Sequence, residues 1–149
     1  MKIIIKNGSL VFENKEYTTQ VLSEDIVTKG YFVDWETGKL KSSSSGGAYS
    51  KLFPYKGGDI TATNMPAQWY GKSIICFYTD EGENYVKFAN AGTTTENGLK
   101  DYIITSYSRD NYDYLIPEKD ILALGDIKYF RIGSINTPNI GISTVKYRV

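Results

Sequence analysis

The chain has 149 residues, with 17 Lys plus Arg against 17 Asp plus Glu, so its formal net charge is zero. That length predicts one domain, and a neutral chain without a Lys/Arg run is not built to hold nucleic acid or an anionic membrane by bulk electrostatics. The absence of His removes the commonest general base and zinc ligand and every Ser-His or Cys-His pair, while a single Cys, Cys76, excludes an internal disulfide and any CxxC motif.

Thirteen Tyr, six Phe and two Trp make up 14% of the chain. Tyr, Ile, Val and Thr favour pleated, half-buried surfaces, so the composition predicts an all-β domain. In chain order, residues 2–6 and 9–12 are apolar runs on either side of Asn7-Gly8. Asn-Gly between apolar runs is the strongest short hairpin signal. The alternative is an arm that pairs with another subunit, and Ile3, Ile4, Ile5, Leu10, Val11 and Phe12 are its candidate docking residues. These apolar runs are too short for a secretory signal, and no segment approaches the roughly 20 apolar residues of a membrane helix.

Residues 13–19 are polar and predict a loop. Residues 30–35, meeting Glu36-Thr37-Gly38-Lys39, predict a strand entering a hairpin. Four consecutive Ser and Gly46-Gly47 make residues 41–47 an expected exposed loop rather than a linker. A strand is expected over 49–54, a turn at Gly57-Gly58-Asp59 and a half-buried strand over 60–64, where side-chain type alternates. Residues 73–79 form the most apolar run and the expected central strand, with Cys76 as a buried thiol. Asp80-Glu81-Gly82-Glu83 reads as a tight turn and 84–88 as the return strand. Further on, 90–98 and 108–113 read as polar loops around a strand over 101–107. Tyr114-Leu115-Ile116-Pro117 leads into a helical turn over 118–124, and 127–132 and 141–149 are the last strands. About nine or ten short strands with frequent turn signals fit a two-sheet antiparallel β-sandwich or jelly roll.

Four segments carry a resemblance. They are Gly30-Tyr31-Phe32-Val33-Asp34 with Thr37-Gly38-Lys39-Leu40, then Tyr49-Ser50-Lys51-Leu52-Phe53-Pro54-Tyr55 with Gly57-Gly58-Asp59-Ile60-Thr61. Ile74-Ile75-Cys76-Phe77-Tyr78-Thr79-Asp80-Glu81-Gly82-Glu83-Asn84-Tyr85-Val86 follows. Ile116-Pro117 with Ile127-Lys128-Tyr129-Phe130-Arg131-Ile132-Gly133 completes the set. In this order they resemble the jelly-roll modules, similar to carbohydrate-binding modules, of bacteriophage tail and fibre proteins and of some gut-bacterial surface proteins. The resemblance covers 30–149. The opening Lys6-Asn7-Gly8-Ser9-Leu10-Val11-Phe12 lies outside it and is similar to the starts of phage structural proteins.

The resemblance implies an N-terminal arm or hairpin over 1–20 and a jelly-roll β-sandwich over 21–149. It implies a non-enzymatic virion structural protein: a capsid decoration, head-fibre or tail-fibre component on the particle surface, made in the bacterial host cytoplasm. Its partners would be other virion proteins or further copies of itself, with a trimer by analogy, and a cell-surface glycan. The alternative is a carbohydrate-binding module for a bacterial or dietary glycan. No cofactor, nucleic acid or membrane insertion is implied.

Within this frame Gln68, Trp69 and Tyr70 form a candidate stacking platform for a pyranose ring, set against Trp69 plugging the open end of the sandwich. Trp35 divides in the same way between core packing and ligand contact. Tyr107, Arg109 and Tyr112 lie in the densest polar-aromatic stretch, either a recognition surface or an ordinary loop. Arg131 either pairs with a carboxylate or faces a groove. Asp80, Glu81 and Glu83 are first a hairpin turn and lack the EF-hand spacing, as do Asp110 and Asp113, so no metal is expected. With 17 acidic residues some carboxylate pair is always nameable, which makes such pairs uninformative about glycoside hydrolysis. Gly46-Gly47 and Gly57-Gly58 precede expected strands rather than helices, unlike phosphate-binding loops. A β-sandwich lyase or hydrolase is the third reading, and without His it would rest on Tyr, Arg, Lys or carboxylates.

Overall fold

The computed structural model describes residues 2–6, 8–13, 16–34, 38–42, 46–65, 74–80, 85–89, 103–108 and 111–149. The chain runs β1 (Lys2–Lys6), β2 (Ser9–Glu13), β3 (Tyr17–Val21), β4 (Val27–Lys29), β5 (Tyr31–Val33), β6 (Leu40–Ser42), β7 (Gly47–Ser50) and β8 (Phe53–Pro54). It continues through β9 (Ile60–Met65), β10 (Ile75–Tyr78), β11 (Tyr85–Ala89), β12 (Ile103–Ser108), β13 (Asn111–Ile116), helix α1 (Glu118–Leu122), β14 (Tyr129–Ile132), β15 (Ile135–Asn136), a 3-10 turn (Thr137–Asn139) and β16 (Thr144–Arg148). All the described pairings are antiparallel, so the expected all-β class is the observed one.

Two sheets carry the centre. One has the order β12-β13-β9-β16-β3, the other β11-β10-β14-β8. Alternation along each strand sends one set of side chains inward. Ile60, Ala62, Met65, Tyr114, Ile116 and Val145 come from the first sheet, and Phe53, Ile75, Phe77, Phe130 and Ile132 from the second. All belong to one apolar core. The Phe130 ring lies 5.4 Å from Phe53 and 5.3 Å from Tyr147, centroid to centroid, and each buried ring of this kind contributes about 1.5–3 kcal/mol. β10 is buried along its whole length. Ile75 and Phe77 enter this core, while Cys76 and Tyr78 join Val33 in a second cluster covered by Tyr49, Leu52 and Tyr129. That double burial explains why the most apolar run sits centrally, between β11 and β14, as expected.

The Asn7-Gly8 signal holds. β1 and β2 pair in register from Lys2 opposite Glu13 to Lys6 opposite Ser9, and they form a two-stranded sheet of their own. The hairpin expected after residue 30 is β5 with β6, fastened where Asp34 N donates to Lys39 O at 2.8 Å and Gly38 N to Asp34 O at 2.9 Å. The expected helical turn is α1.

Four segments depart from expectation. Residues 17–19, expected within the loop over 13–19, open β3 (17–21), whose alternately exposed and half-buried residues pair with β16 at the sheet edge. This strand spans residue 20, where the arm was expected to end. Residues 41–47 were expected as a loop, but β6 takes 41 and 42 and β7 begins at Gly47. The single strand expected over 49–54 is two, because the chain crosses between sheets at Lys51-Leu52. β8, with Pro54 lacking an N–H, then takes an edge position where that donor is not needed. Residues 111–113 were expected in a loop and instead open β13, with Ser108 opposite Asn111 and Tyr107 opposite Tyr112. Asp113, a polar residue that suggested a loop, is half-buried on this strand and accepts from Asn64 N at 3.0 Å.

Gly57 and Gly58 need glycine, with φ of 88° and 80°. The turn is clamped from three sides. Gly58 N donates to Glu118 Oε2, Glu118 N donates to Asp59 Oδ1 at 2.7 Å, and Tyr55 Oη donates to Gly58 O at 2.8 Å. At Asn64, φ is 58° inside β9, and the irregular backbone is satisfied locally. Its N–H donates to Asp113 Oδ1 at 3.0 Å, and its carbonyl accepts from Ser143 Oγ at 2.6 Å and Asn139 Nδ2 at 3.1 Å.

Candidate functional site

Three strands of the four-stranded sheet end on one rung, Pro54–Tyr129–Tyr78. Past that rung the backbone pairing continues for one more step: Tyr55 N donates to Lys128 O at 2.8 Å and Lys128 N to Tyr78 O at 3.0 Å. The flanking segments therefore leave the sheet at fixed positions and enclose an open groove of about 500 Å³. Tyr55 and Ile127, both buried, form its floor. Exposed Lys56 and Lys128 stand on its rim with half-buried Thr79, Asp80 and Tyr129.

The groove's electrostatics follow from burial and pairing. Burial, and next the nearby Glu118, Tyr17 and Asp59, push the Tyr55 hydroxyl well above the usual phenol range, so the floor stays neutral and donates to Gly58 O. Lys128 Nζ lies 3.2 Å from Asp126 Oδ1, a pair exposed on both sides. Lys56 has no ion pair among the described residues. The groove is thus lined by an aromatic residue, two lysines, an aspartate and a threonine on strand ends whose register is fixed. Residues of these types can offer a sugar or similar ligand stacking and hydrogen bonds.

A smaller hollow of about 180 Å³ lies on the outer side of the five-stranded sheet, between Tyr17, Asp59, Thr61, Leu115 and Lys146. Lys146 Nζ sits 5.8 Å from the centroid of the Tyr17 ring, a cation–π contact that covers part of it. Among the described residues, no three His, Cys, Asp or Glu are grouped to hold a metal ion, and no helix is long and apolar enough to cross a membrane.

No family model, curated protein or solved structure matches this chain.

Of the residues singled out from sequence, Gln68, Trp69, Tyr70 and Arg109 lie outside the described residues, as do Trp35, Glu81, Glu83 and Asp110. Tyr107 and Tyr112 are brought together as a cross-strand pair on β12 and β13. Tyr112 is half-buried, packs against the core, and stacks on Tyr114 with centroids 5.9 Å apart and planes 3° from parallel. Arg131 is buried, its Cζ 5.6 Å from the Tyr49 centroid and 5.1 Å from that of Tyr78, so it packs within the second cluster. Cys76 is buried as expected. In the hairpin, Ile3 stands opposite Phe12, Ile4 opposite Val11 and Ile5 opposite Leu10, and Ile5 is 72% exposed.

Sequence reasoning singled out Asp80 on this groove but missed Lys56, Lys128 and Tyr129 as candidate binders. Their segments are more than 20 residues apart along the chain, and only the β8–β14–β10 order joins them. A Lys-Tyr step before a strand carries no signal of its own.

Proposed function

We propose that this chain is a non-enzymatic bacteriophage virion structural protein, a capsid decoration, head-fibre or tail-fibre component. In this reading a two-sheet jelly-roll β-sandwich faces outward from the particle and the N-terminal hairpin docks on a neighbouring subunit. The ordered motifs between residues 30 and 149 support the virion role. The observation that carries the docking role is the hairpin itself. Its register puts residues 3, 5, 10 and 12 on one face, and its two strands pair with each other in a separate sheet. An isolated two-stranded hairpin is marginal in water, and its outer edges offer backbone groups to a further strand. A homo-oligomer, a trimer by analogy, or another virion protein would supply that strand.

The test is a chain lacking residues 1–13, which leaves β3 in its sheet. It should remain folded by circular dichroism and fail to assemble with the particle or with itself. Full incorporation of the shortened chain would end the docking role.

A second reading, a carbohydrate-binding module, is favoured by the groove with Tyr129 on its rim. Screening a multivalent form against a glycan array tests it: selective hits are expected, and an empty array counts against it. Weak sites on an oligomer gain by avidity, so both readings hold together.

A further inference from the structure

We infer that the groove at the end of the four-stranded sheet takes an acidic sugar unit, with the pyranose ring against Tyr129 and the carboxylate on Lys56. The inference rests on the carbohydrate-binding reading and narrows it to a ligand class and a place.

Three observations carry it. Among the described residues that line the groove, two are basic, Lys56 and Lys128, against one acidic, Asp80, and Asp126 just outside the lining balances Lys128. Lys56 is exposed and has no ion pair among the described residues, whereas Lys128 is engaged by Asp126 at 3.2 Å. An uncommitted ammonium group beside a groove is free to take a carboxylate as a charge-assisted hydrogen bond. The frame is also fixed before any ligand arrives. Tyr129 is held in register with Pro54 and Tyr78, and Tyr55 is tied through its hydroxyl to Gly58 O at 2.8 Å. Preorganisation of this kind lowers the ordering cost of binding. Asp80 and Thr79 then face sugar hydroxyls, which both donate and accept. A neutral sugar would use the ring and these groups but leave Lys56 idle.

The experiment is a titration of the full-length ¹⁵N-labelled protein, followed by amide chemical shifts. The two probes are a hexasaccharide of alternating glucuronate and N-acetylglucosamine and the neutral hexasaccharide of N-acetylglucosamine alone. The acidic probe should move the amides of Lys56, Asp80, Lys128 and Tyr129, and its affinity should fall several-fold between low and physiological salt. Lys56→Gln, at an exposed position, should weaken the acidic probe about tenfold and leave the neutral one unchanged. Tyr129→Leu should weaken both.

If both probes move the groove equally and Lys56→Gln changes neither, the acidic preference is overturned and the carbohydrate-binding reading stands. If shifts appear only elsewhere on the protein, the groove is overturned as the site. If neither probe binds anywhere, the inference falls together with the reading beneath it.

Discussion

The core between the two large sheets and the N-terminal hairpin are both antiparallel strands with apolar residues, yet they are stabilised differently. In the core, side chains of both sheets pack into one cluster: Ile60, Ala62, Tyr114 and Val145 from one sheet, Phe53, Phe77, Phe130 and Ile132 from the other. Among the described strands β1 and β2 pair only with each other, and Ile5 remains 72% exposed. The same local pattern therefore yields strands that contribute to a shared core in one place and a two-stranded sheet of its own in the other. What differs is the non-local partner, which the core finds within the chain and the hairpin, in the proposed role, finds in another.

The sharpest way to break this contrast is to remove one apolar side chain from each region. Phe130→Ala, at a site with no exposure and two ring neighbours, should cost about 3–5 kcal/mol in urea unfolding. Ile5→Ser should change the same transition by less than about 0.5 kcal/mol. Comparable losses at the two sites would mean that the hairpin belongs to the folding unit.

A smaller effect is expected where the core is closed off by the Gly57-Gly58 turn. Gly58→Ala puts a side chain at a φ of 80° and into the Tyr17 hydroxyl, which is part of β3. The backbone strain alone is about 1–3 kcal/mol. Thermal unfolding should show that loss, and Gly8→Ala, with open space around it and a φ of 76° in the hairpin, should leave the transition of the sheets in place.

The smallest effect is on pH dependence. Burial raises the hydroxyls of Tyr55 and Tyr147 above the usual phenol value of 10.0. The folded state therefore holds these protons more tightly than the unfolded chain. Their contribution is complete below about pH 10 and is lost as pH rises toward the folded-state values. Unfolding followed from pH 8 to 11.5 should show a falling midpoint. Tyr55→Phe should cost about 1 kcal/mol at pH 8 through the lost bond to Gly58 O, and should flatten the alkaline decline.

Much of this fold is legible in the sequence where signals are local. Asn7-Gly8, Gly57-Gly58-Asp59 and the run through Ile74-Ile75-Cys76-Phe77 each announce their structure, because turn chemistry and burial on both faces act on a few adjacent residues. β3 was missed because Tyr17-Thr18-Thr19-Gln20-Val21 becomes a strand only by lying beside β16, more than 120 residues away. The split between β7 and β8 was missed for a related reason: changing sheets at Lys51-Leu52 leaves no Gly or Pro at the crossing. The groove was the least legible feature, since Lys56, Asp80 and Tyr129 share no local pattern and meet only through strand order.

Cys76 lies buried on β10 within the second apolar cluster, beside Val33 and Tyr78, and it is the only sulfhydryl in the molecule. An alkylating reagent reaches it only when the layers part, so its labelling rate measures how often the native state opens. The protein thus carries one intrinsic reporter of its own breathing, on a strand buried along its whole length.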